Sequence, residues 1–526
     1  MTSRTVVTGL GVVAPTGADT SSYWQATLAG HRAIDRISRF DATRYPVRFA
    51  GEVRGADPAG VIDSRVLVQT DLWTHLALLA AGEAVAAAAL DTLGKGSFDI
   101  GVTTAAGPGG CAFGQREIQA LWSQGPGYVG PYQSIAWFYA ASTGQISIAN
   151  GFRGPCAVLS SESAGGLDAI ALSRRGIRRG NPVQVCGGTE APISPYALVS
   201  QMQSGLLSDS RDVATAYVPF SRSASGYVPS EGGAVLVLEE LAHAREREVP
   251  ALAEITGHTA AFTARQSPHP EDADGWSQTS HSLAFAISGA LADAGIGPSQ
   301  VDAVFADGIG VRNADRAEVA ALQAALGKHA RAVPVTVPKA GIGRACSGAA
   351  PLDVVAAVLA LRDGLVPPTP GAADLAHDID LVTGTARRKP LQHVLCLARG
   401  FGGFASALVV SSTDGGLHNP NLNKNRLPGM SQESKIGASM AETASVTLAE
   451  FAEFLSSSAG VRIMPDLVGD DTTFEEIGVD SLALIGVIPV LERSRQILIP
   501  PDAENIKNVS DFLTLVNDIV QKAGMK

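Results

Sequence analysis

The chain has 526 residues, 45% of them apolar and only 17% charged, with a formal charge of −11. That length and apolar content suffice for two or three domains with large buried cores, and the acidic balance excludes a nucleic-acid binder, which needs a concentrated basic surface. The five cysteines (Cys111, Cys156, Cys186, Cys346, Cys396) are odd in number, scattered and without metal-ligand spacing, so free thiols in a reducing cytoplasm are expected and no metal site is. In chain order, the opening "MTSRTVVTGLG" lacks a basic region followed by an apolar run, and no uncharged apolar stretch is long enough to span a bilayer, so neither export nor membrane insertion is expected. "TVVTGLGVVAP" (5–15) predicts a buried strand and turn. Its "GLGVVAP" matches G-x-G-x-x-A, but Pro15 stands where a nucleotide-binding helix would open, so the glycines read as a tight crossing after a core strand.

"LLAAGEAVAAAAL" (78–90) predicts an Ala-rich helix. "GPCAVLSSESAGGLDAI" (154–170) runs from an apolar strand through a Ser/Gly turn into a helix, with Ser163 at the apex, where chains often hold a nucleophile near helix-end N–H groups. "SRRGIRRG" (173–180) puts four arginines at a helix end, either a solvated terminus matched to the helix dipole or a carrier-docking patch. "GAVLVLEEL" (233–241) predicts a strand entering a helix, "VDAVFAD" (301–307) a buried strand, "PLDVVAAVLALRDG" (351–364) a helix ended by Gly364, and "HVLCLARGFGGFASALVVSS" (393–412) two strands around a Gly-rich turn. Two halves of similar alternation suggest duplicated sheets sandwiching helices, an α/β architecture.

The pattern then collapses. Residues 413–443 are rich in Gly, Asn, Ser and Pro and read as a flexible linker, in which Met430 and Met440 suit a junction of two reading frames or are chance. Residues 444–526 hold thirteen Asp/Glu against six Lys/Arg, net −7, leaving −4 for everything before them. "TLAEFAEFL" opens with a capping box, Thr447 with Glu450, and places Leu448, Phe451, Ala452 and Leu455 on one face; "VSDFLTLVNDIVQ" does the same with Phe512, Leu515, Val516, Ile519 and Val520. A small all-α bundle is expected there.

Between those helices, "EEIGVDSLALIGVIPVLE" (475–492) sets Ser481 after Asp480 at a helix start with Leu482, Ile485 and Ile488 apolar and Glu475, Glu476 and Asp480 ringing the approach. A bare D-S-L is also what a helix N-cap looks like. With "DTTFEEIGVDSL" upstream and "LIPPDAENIKNVSDFLTLV" downstream, residues 444–526 resemble an acyl carrier protein. The resemblance implies that Ser481 bears 4'-phosphopantetheine, with Asp480 beside it and an acidic face for basic partners. Pro489 departs from the pattern and should bend the helix.

The longer part carries "RTVVTGLGVVAPTG", the Ser163 stretch, "PFSRSASGYVPSEGGAVLVLEELAHARER", "VDAVFADGIGVRNADRAEVAAL", "VPKAGIGRACSGAAPLDVVAAVLALRDGLVPPT" and "RGFGG". Together these resemble a β-ketoacyl synthase of the thiolase fold across residues 1–412: two duplicated βαβαβ halves in a layered sandwich. A condensing enzyme needs an elbow cysteine to attack a thioester and two histidines to assist decarboxylation and hold the enolate oxygen. At those positions this chain has Ser163, Asp307 and Arg344, although Lys339 remains. A serine hydroxyl needs an adjacent base, and Asp307 is a weak one. No catalysis is therefore expected from these degenerate positions.

With "AFGQREIQALWSQGP", "YQSIAWFYAASTGQISI" and "SAGGLDA", the chain is similar to the chain-length factor, or ketosynthase β-subunit, of type II polyketide synthases. That resemblance implies a heterodimer with a catalytic ketosynthase, use of malonyl and acyl thioesters, and dealings with a malonyl transferase, a ketoreductase or other tailoring enzymes. Its usual members carry Gln at the elbow, so Ser163 leaves the product class open. The family's tunnel-gating positions match Cys111, Gly114 and Ile118, which fall on one helical face; ordinary helix packing is the alternative. The expected whole is a chain-length factor (1–412), a linker (413–443) and a carrier (444–526). The rival is a self-sufficient acyltransferase or condensing enzyme using Ser163, and a structural module with an unmodified Ser481 is a third reading.

Overall fold

The computed structural model describes residues 3–90, 97–263, 273–413, 445–458 and then 463, 465, 468–477, 479, 484, 487–488, 491–492, 494–495, 497–500, 503 and 506–524. It forms two compact units, residues 1–62 with 69–418 and residues 63–68 with 419–526. The linker of the sequence reading lies almost wholly outside the described residues.

In the first unit an eleven-stranded sheet is built from β1 (Thr5–Val13), β2 (Ile100–Ala105), β3 (Cys156–Leu159), β4 (Val183–Glu190), β5 (Gly232–Glu240), β6 (Ala253–Phe262), β7 (Ala303–Phe305), β8 (Pro334–Thr336), β9 (Asp380–Leu381), β10 (His393–Gly400) and β11 (Phe404–Ser411). Their spatial order is β9-β8-β7-β10-β11-β6-β1-β5-β4-β2-β3. Taken from its outer end inward, the first half reads third, second, fourth, fifth, first strand; β8-β7-β10-β11-β6 repeats that order. The directions repeat as well: the first strand of each half is antiparallel to the fifth, the fifth to the fourth, and the rest are parallel. The halves join through β1 and β6, Val6 opposite Glu254 and Val7 opposite Ala253. The duplicated sandwich expected from the sequence is present.

Helices cover both faces, which is why β1, β5, β10 and β11 are buried along nearly their whole length. On one outer side α1 (Leu72–Ala87) lies on β1, β4 and β5; on the other, α4 (Ala273–Ala294) lies on β6 and β11 and against α5 (Arg312–Leu326). Between the halves run α3 (Gly165–Arg178) and α6 (Ala349–Asp363), in contact with each other. A sandwiched helix has no solvent face, and every residue from Ala349 to Ala360 is buried. Gly364, at φ +63°, ends it. Close approach is bought with glycine: a Cβ on Gly11 would sit 1.9 Å from the Ala80 carbonyl oxygen of α1, so the "GLG" of β1 serves a helix crossing and no nucleotide.

The second unit holds the helices α7 (Leu448–Ser458) and α8 (Val509–Gly524). Thr447 and Glu450 form the expected capping box, and Thr473 with Glu476 forms another. Phe451, Phe474 and Phe512 meet ring to ring in a core that takes in Leu455, Val516 and Val520. In the segment 484–491 the fully buried residues are Leu484, Val487 and Leu491, with Ile488 partly buried; Leu482 and Ile485, expected on the apolar face, are outside the described residues. So are Asp480, Ser481 and Pro489. Among the described residues no helix is long and apolar enough to cross a membrane, and no His, Cys, Asp and Glu side chains cluster to hold a metal ion.

Candidate functional site

Strand β3, a tight turn at Glu162–Ala164 and helix α3 build the elbow. Glu162 takes a left-handed backbone, φ +51°, uncommon for a residue with a side chain. Ser163 is 2% exposed. Its hydroxyl donates to Glu162 Oε1 at 2.7 Å and accepts from Arg344 Nε at 3.3 Å; the other Glu162 oxygen takes the Phe401 N–H at 2.9 Å. The carboxylate beside the serine is therefore its own neighbour Glu162 rather than Asp307, and among the described residues no helix-end N–H holds the oxygen.

The three degenerate positions do converge, but into a buried ion network. Arg344 Nη2 lies 2.8 Å from Asp307 Oδ1, Arg399 Nε 3.0 Å from Asp307 Oδ2, and Arg399 Nη2 2.6 Å from Glu318 Oε2. Glu318 in turn accepts the N–H groups of Asp307 and Gly308 at 2.7 and 2.9 Å. Lys339 pairs with Asp353 at 2.5 Å and donates to the Ala306 carbonyl at 2.9 Å. Burial pushes the Asp307 carboxyl up, but Arg344, Arg399 and Lys339 together outweigh it and hold the group below its ordinary range. Burial opposes the Arg344 charge, and Asp307 more than restores it. Both Arg344 terminal nitrogens are also spent on carbonyls, Nη1 on Asp307 and Nη2 on Arg399. Such a cluster is charge-matched and hydrogen-bonded, as buried charges must be. It holds no thiolate, and Arg344 and Lys339 are turned to carboxylates and carbonyls within the cluster.

A second feature lies on α2 (Cys111–Gln124). Cys111, Gly114 and Ile118 line one cavity of about 160 Å³ together with Gln133, Trp137 and Tyr196. The Cys111 thiol donates to the Pro108 carbonyl at 3.1 Å, and burial, with Glu190 and Asp71 nearby, pushes it up to about 12, so it is no nucleophile. A Cβ on Gly114 would lie 3.1 Å from Trp137 Cδ1. Typical small-molecule sites are about 300–1,000 Å³. This space is smaller than that, and it is walled partly by exposed Trp137, Ile118 and Tyr196.

These landmarks can be set against known proteins. Residues 2–244 match "Beta-ketoacyl synthase, N-terminal domain" and residues 252–373 match "Beta-ketoacyl synthase, C-terminal domain". The chain belongs to the β-ketoacyl synthase family. This family member is 51% identical over 413 residues to a putative polyketide beta-ketoacyl synthase 2 of Streptomyces cyaneus, covering 78% of this chain and 96% of that one. It is 48% identical over 408 residues to the tetracenomycin polyketide synthase ketoacyl synthase beta subunit of Streptomyces glaucescens, covering 77% and 98%. Its fold matches the ishigamide ketosynthase/chain length factor with a TM-score of 0.71 at 23% identity, covering 79% of this chain and 100% of that one. A type II polyketide synthase acyl-carrier protein in complex with its ketosynthase bound to the hexaketide matches with a TM-score of 0.69 at 26% identity, covering 78% and 100%.

Sequence reading missed Glu162, Glu318 and Arg399 in the network and Gln133, Trp137 and Tyr196 around the cavity. Arg399 sits just inside the quoted "RGFGG", but only the strand pairing places it against Asp307. Of the four arginines at 173–180, Arg174 is 4% exposed and paired with Asp293, while Arg175, Arg178 and Arg179 are exposed.

Proposed function

We propose that the chain is the non-condensing, chain-length-determining subunit of a polyketide ketosynthase heterodimer, fused to an acyl carrier protein. The observation that carries this reading is the replacement of nucleophile and both histidine positions by the Ser163–Arg344–Asp307 cluster, in which the Arg344 and Asp307 charges pair with each other. The surface favours a partner. Strand β3 pairs on one side only, with β2, and its side chains are only partly covered. Helix α2 exposes Trp122, the segments packed on it expose Tyr128, Phe138 and Tyr196, and Ile148 stands open on the helix next to β3, a grouping of large apolar side chains of the kind that marks interaction sites. A cysteine-bearing ketosynthase seated there would close the α2 cavity into a tunnel whose depth Cys111, Gly114 and Ile118 set.

Ser481 is the proposed attachment point of 4'-phosphopantetheine, which would supply a flexible thiol for malonyl and growing β-ketoacyl thioesters. Exposed Glu475 and Glu476 give the acidic approach such carriers use. The test has two arms. Co-expressed with a cysteine-bearing type II ketosynthase, the chain should co-purify with it and support chain extension, and alone it should join no malonyl units. Treatment with a phosphopantetheinyl transferase should add one arm to the intact mass, lost in Ser481→Ala. Unaided condensation, or acylation of Ser163 in the isolated chain, would favour the serine enzyme instead.

A further inference from the structure

Three of the six residues around the α2 cavity offer a bound chain little polarity, and two more offer a ring with a single polar group, the Trp137 indole N–H and the Tyr196 hydroxyl. The Cys111 thiol is committed to Pro108, Gly114 has no side chain, Ile118 is aliphatic, and Trp137 and Tyr196 present rings. Gln115, one residue from Gly114, has its amide oxygen committed to the Tyr196 N–H at 2.8 Å. Gln133 differs. It lines the cavity, and its Oε1 is buried with no hydrogen-bond partner among the described residues. Its Nε2 lies 3.6 Å from where a Cβ on Gly114 would stand, so the missing side chain at 114 leaves space beside the amide nitrogen. Folded proteins seldom bury an amide oxygen without a partner unless something else supplies one.

We propose that Gln133 is a specificity-determining residue that hydrogen-bonds the oxygens of a poly-β-ketone chain in the tunnel. The inference rests on the chain-length reading above and adds the chemistry the wall selects. A chain with oxygen on alternate carbons answers the amide: a ketone accepts from the N–H, and once the amide turns about its last bond an enol or β-hydroxyl donates to the carbonyl oxygen. A saturated acyl chain answers neither and leaves the amide unpaired, and a wall built to pair with oxygen discriminates against a ligand lacking it. Gly114 and Ile118 then set how far a chain goes, and Gln133 sets what kind of chain goes there.

The test uses the full chain co-purified with a cysteine-bearing type II ketosynthase and a separate malonyl carrier, with octanoyl and 3-oxo-octanoyl carriers competing as primers. The intact pair should prefer the oxo primer, and Gln133→Leu should lower that preference about tenfold, the scale of one hydrogen bond. Gln133→Met, unbranched and of similar length, repeats the measurement if the leucine variant fails to pair. Gly114→Phe is run in parallel and should shorten the product. An unchanged primer preference in both Gln133 variants, with shortening in Gly114→Phe, overturns the role of Gln133 and leaves the chain-length reading standing. Unchanged product length in Gly114→Phe overturns the chain-length reading itself.

Discussion

At the scale of single residues, the elbow asks what would restore chemistry. Ser163→Cys supplies a thiol but not the rest: Arg344 already gives Nε to position 163, Nη1 to the Asp307 carbonyl and Nη2 to Asp307 and Arg399. The variant should therefore neither decarboxylate malonyl carriers nor form carbon–carbon bonds above background, read by product mass; turnover from this single change would refute the claim that the Arg344–Asp307 cluster cannot support condensation. Glu190 makes a prediction of another kind. It is fully buried, accepts the Gly107 N–H at 2.5 Å, and burial first, offset only in part by Ser347 and Gly107, raises its carboxyl from 4.5 to about 8. Folded Glu190 keeps a proton that the unfolded chain releases, so its contribution to stability is complete below about pH 4.5 and drains away as pH rises through 8. Asp307 has the opposite sign: its depressed value stabilises above the ordinary carboxylate range and is lost as pH falls through its folded value. Glu190→Gln keeps the shape and the acceptor, so between pH 5.5 and 8 its melting temperature should fall less steeply than that of the parent.

At the scale of elements, α3 and α6 cross between the two halves because Gly166 has no side chain: a Cβ there would lie 2.3 Å from Pro351 Cδ and 2.6 Å from the Ser347 carbonyl oxygen. Gly166→Val should cost about 1–3 kcal/mol, as overpacking does, seen as a lower denaturant midpoint. Gly82→Ala, on the exposed face of α1 with nothing within 4 Å, should raise it slightly. If both changes acted alike, the close crossing would not be what holds these helices. The same pair shows what a sequence discloses. The apolar run of α6 and its Gly364 stop were legible as local signals, and so were the cap at Thr447 and the Phe451 and Phe512 faces. The matching strand order of the two halves was not, because it depends on which distant strands pair. Glu318 and Arg399 look like ordinary charged positions until α5 and β10 bring them to Asp307. Cys111, Gly114 and Ile118 could be placed on one face by spacing alone, whereas Trp137 and Gln133, from a separate helical turn, could not.

At the scale of the whole molecule, the proposed function joins a subunit without condensing chemistry to a carrier that would feed its partner's cysteine. On that reading a tether of about thirty residues would keep the carrier near the condensing site at an effective concentration on the order of millimolar. Joining changes how often the carrier arrives, not what happens once it has. Ser481→Ala in the full chain, paired with a cysteine-bearing ketosynthase, removes the tethered thiol while leaving the rest of the polypeptide intact. With a separate malonyl carrier at micromolar concentration, its rate of extension should fall well below that of the parent. As the separate carrier is raised toward millimolar, the two rates should converge on the same maximum, so the substitution moves the half-saturating carrier concentration and not the limiting rate. Equal rates for Ser481→Ala and parent at every carrier concentration would mean that residues 444–526 deliver nothing to the condensing site. A lower limiting rate at saturation would mean that the segment acts on the partner by contact rather than by delivery.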